Sequence, residues 1–164
     1  MDLASESLTL TPAELRRVKL FADLTDDDLV LLVSHLIAGR VRPGVTLCKQ
    51  GDAGDCAYLI LRGSARVSYT SQGKETILAK LEGGDYFGEV CLVEPGVRSA
   101  DVATDSECQL LKLTHAGFQE ILQKNPATAA RLLAAIIRTT AARLRATNKR
   151  FSDSMLMSRA WGGR

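Results

Sequence analysis

Residues 57–81 read AYLILRGSARVSYTSQGKETILAKL, which is three runs of β-favouring residues separated by two short turns. The first turn is RGS at 62–64 and the second is SQGK at 71–74. Branched and aromatic side chains favour extended backbone, whereas Gly beside polar residues favours a reversal of the chain. The second turn therefore predicts a β-hairpin formed by the runs on either side of it.

The same alternation of short runs and turn signals extends in both directions, over residues 37–113. Further turns are expected at RPG (42–44), QGDAGD (50–55) and EGGD (82–85), with another strand at VTLCK (45–49). Short strands at such regular spacing are typical of a small antiparallel sandwich or barrel.

Helices are expected before this β-rich region. The segment TPAE (11–14) can open a short helix, with Thr as the cap, Pro at the first position and Glu closing a capping box. That helix should run to about Lys19 and end at LFADL (20–24). Thr25 and the three aspartates after it then predict a second helix over LVLLVSHL (29–36), because acidic residues suit the first turn.

Helices are also expected after the β-rich region. Thr114 can cap HAGFQEILQ (115–123), the Asn-Pro pair at 125–126 breaks that helix, and about 25 helical residues should follow from Ala127. The long helix carries a heptad seam at Leu133, Ile137, Thr140, Leu144, Thr147 and Phe151. The seam could lie along the β-rich region, pair with a second copy of the chain, or do both.

Composition excludes several classes of protein. With 46% hydrophobic and 24% charged residues, the 164-residue chain can bury the core of one ordinary domain. The net charge of +2 is too small to indicate a nucleic-acid partner by itself. There is no apolar run of membrane-spanning length and no signal-peptide pattern, so a cytoplasmic location is expected.

The cysteines and histidines do not suggest a metal site or a catalytic site. No C-x-x-C pair occurs, so small buried thiols in a reducing compartment are expected. His35 is interpreted as the end of one helix and His115 as the first turn of another, and neither has ligand-like neighbours. The cysteines concerned are Cys48, Cys56, Cys91 and Cys108.

Within residues 86–104, YFGEVCLVEPGVRSADVAT, Glu89 and Arg98 are opposite charges nine positions apart among mainly apolar residues. Gly88 allows a ligand to approach the backbone closely, and a helical turn starting at Glu89 would direct free N–H groups at an anion. The Arg98 fork suits phosphate oxygens, while a carboxylate can accept hydrogen bonds from sugar hydroxyls. A phosphate beside a ribose hydroxyl would satisfy both charges. The alternative is a partly buried Glu89–Arg98 ion pair that only fixes a loop.

The stretch FGEVCL, five residues and then RSADVAT resembles the phosphate-binding cassette (residues 86–100) of the cyclic nucleotide-binding domains. This family includes the catabolite activator protein, kinase regulatory subunits and cyclic-nucleotide-gated channels. LCKQGDAGDCAYLILRG (47–63) resembles the second signature of the family, and LFADL resembles the segment that leads into its β-roll. Cys91 departs from the pattern, since Ala, Gly or Ser is commoner there, but it is small enough to fit. The matching cassette residues are Phe87, Gly88, Glu89, Leu92, Arg98, Ser99 and Ala100.

The resemblance implies an α+β fold, in which an antiparallel, jelly-roll-like β-roll of about eight strands is flanked by N-terminal helices and a long C-terminal helix. The expected organisation is an N-terminal helical segment (1–36), the β-roll (37–113), C-terminal helices (114–151) and a tail (152–164).

The resemblance also implies a ligand and a set of contacts. Backbone N–H groups of the cassette and Arg98 would hold a cyclic phosphate, Glu89 would bind the ribose 2′-hydroxyl, and Ser99 would reach a phosphate oxygen or the base. ARLRATNKRF (142–151) resembles the activator's helix near its adenine contacts, where Thr147 and Asn148 would take those places. Thr147 could equally be an ordinary seam position. The ligand-binding residues expected in the cassette are Phe87, Gly88, Glu89, Val90, Cys91, Arg98, Ser99 and Ala100.

The expected function is therefore that of a cyclic-nucleotide sensor, for cyclic AMP in preference to cyclic GMP, with no metal, no further cofactor and no catalysis. The ligand would draw the C-terminal helix over the base as a lid and signal to a partner or an attached domain. The alternative is an interaction or dimerisation module whose pocket is unused or takes another ligand. Only about a dozen residues follow the long helix, too few for a helix-turn-helix, so sequence-specific DNA binding is not expected. A stand-alone sensor and a piece of a larger protein both remain open.

Overall fold

The computed structural model describes residues 10–161; residues 1–9 of the expected N-terminal segment and 162–164 of the expected tail lie outside this range. A single 3-10 turn, Lys19–Phe21, separates the first two helices. The helices are α1 (Pro12–Leu15), α2 (Asp26–Val33), α3 (Val90–Val93), α4 (His115–Lys124) and α5 (Pro126–Trp161). The strands are β1 (Leu36–Val41), β2 (Thr46–Cys48), β3 (Ala53–Gly54), β4 (Cys56–Arg62), β5 (Ser64–Ser71), β6 (Lys74–Glu82), β7 (Tyr86–Phe87), β8 (Gly96–Val97), β9 (Asp101–Thr104) and β10 (Cys108–Thr114).

The strands form two four-stranded sheets and one small ribbon, and every pairing is antiparallel. The first sheet has the order β1-β10-β4-β7 and the second has the order β2-β9-β5-β6. The ribbon pairs β3 with β8, which brings the loop before β4 against the cassette. The predicted α+β fold, an antiparallel roll flanked by helices, is confirmed.

The predicted hairpin at SQGK joins β5 to β6. Gln72 has φ of 51° and Gly73 has φ of 76°, so both central residues of the turn take the left-handed conformation of a two-residue hairpin loop. The pairing runs the full length of both strands, from Ser71–Lys74 to Ser64–Glu82. Because β6 is an edge strand, the hairpin forms one outer wall of the roll.

The first sheet is buried on both faces, and this explains the continuous apolar run of β4. Successive side chains of a strand point to opposite faces. Tyr58 and Ile60 pack inside the roll, in a cluster that also includes Val102 and Leu81 of the second sheet. Ala57 and Leu59 pack on the opposite face, in a cluster built mainly by the helices. The second sheet has an exposed outer face, since β6 buries only Leu81.

The predicted helix starts are confirmed, but the ends of the first two helices differ. Thr11 and Thr25 both close capping boxes, and the Thr114 hydroxyl accepts from the Gly117 N–H. The first helix ends at Leu15 and not near Lys19, because the chain tightens into the 3-10 turn. The second ends at Val33, and the last residue of its expected span, Leu36, begins β1.

Helix α5 is longer than predicted and packs along only its first part. It runs to Trp161, so most of the stretch expected to be a tail is helical. The buried residues are Thr128, Ala129, Leu132, Ala135 and Ile136. Among the apolar seam positions, Leu133 is partly buried against the core, whereas Ile137, Leu144 and Phe151 face solvent, at 65%, 58% and 66% exposure. The apolar positions of the seam from Ile137 onward therefore do not lie along the roll.

The expected buried thiols are found, since Cys48, Cys56, Cys91 and Cys108 are all free and buried. Within residues 10–161, no helix combines the length and the apolar character needed to cross a membrane.

Asp28 ties the N-terminal helices to the start of α5. Its carboxylate, 4% exposed, closes the capping box of α2 and also accepts two hydrogen bonds from Arg131, at 2.8 and 2.7 Å, and one from the Thr128 hydroxyl. The Arg131 guanidinium, helped by Thr128 and Thr25, holds the pKa of this carboxyl well below its ordinary value of 3.8. The base of α5 is thereby fixed to α2 by a charge-assisted cluster.

Replacing this carboxylate should destabilise the fold at neutral pH and flatten its response to acid. Asp28→Asn should lower the free energy of unfolding by about 2 kcal/mol, through the lost cap and charge-assisted hydrogen bonds. A depressed carboxyl pKa contributes stability that is fully present above the unfolded value, near 4, and is lost as the pH falls further. Urea unfolding from pH 7 to pH 3 should therefore fall less steeply for Asp28→Asn than for the wild type. Parallel curves would contradict this role, and Asp27→Asn, on the exposed side of α2, is the matched control.

Candidate functional site

The roll, the cassette and α5 together enclose a cavity of about 770 Å³. A volume of this size is typical of pockets for small organic ligands. One wall is apolar and comes from the second sheet, another is the cassette, and one face of α5 completes the lining. The apolar wall consists of Val67, Leu78, Ala79, Leu81 and Val102.

The structure brings the predicted binding residues together around this cavity, with one exception. Asn148 is exposed on α5 and, among the described residues, is not part of the lining. The predicted residues that do line the cavity are Phe87, Gly88, Glu89, Val90, Cys91, Arg98, Ser99, Ala100 and Thr147.

The cassette begins where β7 pairs with β4. This pairing stacks the Phe87 ring on Tyr58, with 5.3 Å between the ring centroids. Gly88 follows with φ of 73°, a conformation that residues with a side chain rarely adopt. A Cβ at Gly88 would lie 2.3 Å from Arg98 Nη1, so the guanidinium also requires a glycine there. Within the described part of the chain, the N–H groups of Glu89 and Val90, which open α3, have no protein acceptor.

Arg98 is 8% exposed and is fixed by contacts from three directions. Its Nη1 donates to the Cys56 carbonyl at 2.9 Å, its Nη2 donates to Cys56 Sγ at 3.1 Å, and the guanidinium lies 5.9 Å from the Tyr58 ring centroid. Its backbone N–H donates to the Asp52 carbonyl at 2.8 Å. A Cβ at Gly54 would come within 2.5 Å of Arg98 Nε, so this side of the site also depends on a glycine. The arginine fork is therefore placed rigidly at the cavity wall.

Glu89 and Arg98 do not pair with each other. Glu89, 4% exposed, instead accepts a hydrogen bond at 2.7 Å from Nη1 of Arg143, on α5. The alternative of a local Glu89–Arg98 ion pair is therefore wrong. Each charge has a different partner, and both side chains line the cavity.

Arg143 joins α5 to the cassette through three contacts. Besides Glu89, its Nη2 donates to the Tyr86 carbonyl at 2.7 Å, and the guanidinium lies 5.3 Å from the Tyr86 ring centroid. One turn earlier on the helix, the Thr139 hydroxyl accepts from the Tyr86 hydroxyl. Burial raises the pKa of Tyr86, so the phenol remains a neutral donor. One face of α5 is thus held against the strand that opens the cassette.

Sequence reasoning missed Arg143, because the heptad pattern assigns it to the polar face of α5. Its partner Glu89 lies 54 positions away, and no local pattern connects them. The available signal in the sequence was the position of Glu89 among apolar residues. A carboxylate that becomes buried there requires a compensating donor. Arg150, also on α5, lines the cavity and was likewise missed.

The cysteines near the site are free and buried. Burial raises the pKa of the Cys48 thiol to about 11, which keeps it protonated. Cys91 departs from the commoner small residues at its cassette position; it is 7% exposed and lines the cavity. The described residues contain no cluster of His, Cys, Asp and Glu suited to a metal ion.

Comparison with known proteins agrees with this architecture. The profile of the cyclic nucleotide-binding domain matches residues 39–125. The chain is 35% identical to a cAMP-dependent protein kinase regulatory subunit of Yarrowia lipolytica, over 66% of this chain and 28% of that protein. It is 34% identical to the cAMP-activated global transcriptional regulator CRP of Escherichia coli, over 79% of this chain and 60% of that protein.

A solved structure shows the same arrangement. The N-terminal domain of a transcriptional regulator from Streptomyces coelicolor superposes with a TM-score of 0.70 and 35% identity, over 84% of this chain and 94% of that one. The chain belongs to the cyclic nucleotide-binding domain family. It spans 28% and 60% of the lengths of the two relatives named above, which are therefore larger proteins than the stretch they share with it.

Removing the Arg143 side chain should loosen α5 from the cassette. Arg143→Ala leaves the buried Glu89 carboxylate without its donor, and the helix loses its contact with Tyr86. Amide hydrogen exchange should become faster over residues 139–150 in this variant, while the buried segment of α5 around Leu132 changes little. Arg145→Ala is the matched control, because Arg145 is exposed on the same helix. Equal exchange in both variants would show that the ion pair does not hold the helix.

Proposed function

We propose that the protein is a cyclic-nucleotide sensor whose ligand is cyclic AMP. The observation that carries the proposal is the presence of a buried arginine fork and a buried carboxylate on the wall of one cavity of suitable size. Membership of a family of regulatory ligand-binding domains supports this function and favours binding without turnover.

The cyclic phosphate is assigned to Arg98 and the first turn of α3. The two contacts with Cys56 use two of the five N–H donors of the guanidinium, which leaves others for phosphate oxygens. The Glu89 and Val90 N–H groups are available to the same anion, at the positive end of a helical turn. Ser99, at the cavity edge, adds a hydroxyl donor.

The ribose is assigned to Glu89. One of its oxygens accepts from Arg143, and a carboxylate has about four acceptor sites, so a ribose 2′-hydroxyl can donate to the same group. Arg143 holds the carboxylate in place. The sugar and the C-terminal helix would then share one buried anion.

Cyclic AMP is proposed over cyclic GMP for two reasons. Thr147 lines the cavity from α5, where its hydroxyl can contact an adenine edge. Two of the relatives carry cAMP in their names, as a cAMP-dependent kinase subunit and a cAMP-activated regulator. Ser99 does not decide the question, since family members that respond to either nucleotide can have a hydroxyl there.

We propose that α5 is the output element. Its contacts with Tyr86 and Glu89 lie beside the assigned ribose, so a bound ligand would favour one placement of the helix over others.

The reduced, buried cysteines are consistent with the cytoplasmic location expected from the sequence, which stays a prediction.

The site assignment predicts a selective loss of binding. Arg98→Ala and Glu89→Ala should each weaken cyclic AMP binding about 100-fold or more, because each removes a charged partner of the ligand. Isothermal titration calorimetry on protein stripped of bound nucleotide measures this directly. Arg62→Ala and Glu82→Ala, at exposed positions on neighbouring strands, are the matched controls. Circular dichroism should show that all four variants fold, and unchanged affinity in both site variants would remove the assignment.

We further propose that the exposed seam of α5 forms a homodimer. Three large apolar side chains recur every seven residues on a helix face that the roll leaves uncovered: Ile137, Leu144 and Phe151. This spacing is typical of a two-stranded coiled coil. Polar Thr140 and Thr147 occupy the intervening seam positions, which would limit the stability of the pair.

A charge in the seam should separate the copies. Leu144→Asp should shift sedimentation-velocity profiles from dimer to monomer, because it places two carboxylates at the helix contact. Ala142→Asp introduces the same charge at an exposed position off the seam and should leave the dimer intact. A wild-type protein that sediments as a monomer at 100 µM or so, with and without cyclic AMP, would overturn the homodimer, since even weak coiled coils associate at such concentrations.

A further inference from the structure

A second guanidinium of α5 lines the cavity and has no role in the contacts described so far. Arg150 makes one long hydrogen bond, from Nη1 to the Leu78 carbonyl of β6 at 3.4 Å. Among the described residues it has no carboxylate partner. Arg143 differs in this respect, since each of its two Nη atoms already donates to the protein, one to Glu89 and the other to the Tyr86 carbonyl. Arg150 therefore keeps most of its donors available at the cavity.

Arg150 lies about two helical turns beyond Arg143 on α5, on the side where a base attached to the proposed ribose would extend. Seven residues separate it from Arg143, which is about 10 Å along the axis and nearly the same face of the helix. Arg143 marks the ribose end, because it holds the carboxylate assigned to the ribose. A base attached to that ribose and extending along α5 would lie between these two arginines. The lining of this part is suited to the flat face of a purine and comes from Leu78, Ala79, Ala146 and Thr147.

The two purines present different edges to a guanidinium. Guanine has two adjacent acceptors, O6 and N7, whereas adenine has the N7 acceptor beside the N6 amino donor. An arginine fork can donate to both guanine atoms at once, but it meets a donor on adenine. Arg150 is therefore suited to guanine, while the Thr147 hydroxyl can both donate and accept and so can serve adenine.

We propose that Arg150 reads the O6–N7 edge of the base and gives this site a substantial affinity for cyclic GMP. The inference rests on the proposed function and adds a second ligand to it. The selectivity for cyclic AMP would then be set by opposing contributions from two residues one turn apart on α5. Loss of Arg150 would sharpen the preference for cyclic AMP.

The test is calorimetric titration of the full chain with cyclic AMP and cyclic GMP. Arg150→Ala should weaken cyclic GMP binding about 10- to 100-fold and change cyclic AMP binding by no more than about twofold. Arg150→Lys keeps the charge without the fork and should behave like the alanine variant. Lys149→Ala is the matched control, since it removes an adjacent exposed cation from the same helix.

Two analogues separate this contact from others. Cyclic IMP keeps O6 and N7 but lacks the 2-amino group, so it should lose affinity with Arg150→Ala as cyclic GMP does. A contact between Ser99 and the 2-amino group can strengthen the binding of cyclic GMP but not that of cyclic IMP. A loss of affinity shared by both nucleotides therefore points to O6 and N7. 7-Deaza-cyclic GMP lacks one acceptor of the pair and should bind the wild type more weakly than cyclic GMP does.

Each outcome has a distinct meaning. Equal losses for both nucleotides would show stacking or simple charge attraction, and would overturn base reading by Arg150. Base reading by Arg150 would also be overturned if Arg150→Ala left the ratio of the cyclic AMP and cyclic GMP affinities unchanged. A wild type that binds cyclic AMP but not cyclic GMP would overturn it as well. If the stripped wild type binds neither nucleotide, the proposed function fails first, and this inference fails with it.

Discussion

The burial of one guanidinium sets the shape of the site. Arg98 fits between the cassette turn and the loop before β4 only because Gly88 and Gly54 leave space for it. Its backbone joins the same loop, and its side chain is bound to Cys56 at the start of the central strand. Two loops far apart in sequence are therefore fixed by one charged side chain, and the cavity wall follows from that placement. A charge buried in this way needs partners, which the carbonyl, the thiol and the Tyr58 ring supply.

A second buried charge connects this wall to the helix. Glu89 is nearly inaccessible, and its partner arrives from α5 and not from the adjacent arginine. Because Glu89 and Arg98 have different partners, both side chains face the cavity. An ion pair between them would have directed the two charges at each other. The pairing of Glu89 with Arg143 also makes the position of the helix depend on the same carboxylate that is assigned to the ligand. Recognition and output can be coupled here without any long chain of contacts between them.

The parts of the structure that were predictable from sequence are those encoded locally. Thr11, Thr25 and Thr114 each carry a cap signal within three residues, and Gly73 marks its hairpin directly. The cassette residues were identified by a motif contained in fifteen positions. The role of Arg143 was not identified from the sequence, because it depends on how α5 lies against the roll. The exposure of the seam likewise depends on how α5 lies against the roll. The sequence shows the spacing of the seam, but only the structure shows that Leu132 and Ile136 form the buried face of the helix. The end of α5 was missed because residues 151–156 are all exposed, so no buried face marks them as helical.

The uneven packing of α5 has a mechanical consequence. The helix is held near its start by the Asp28 cluster, and its final turns extend beyond the buried part. From Thr128 to Trp161 the axis is about 50 Å long, so a tilt of about 10° at the base moves the far end by about 9 Å. The helix is therefore a lever clamped at its base, and the contacts of Thr139 and Arg143 with the cassette hold it in one position until they are released. An angular change too small to disturb the core can become a displacement comparable to the width of a helix.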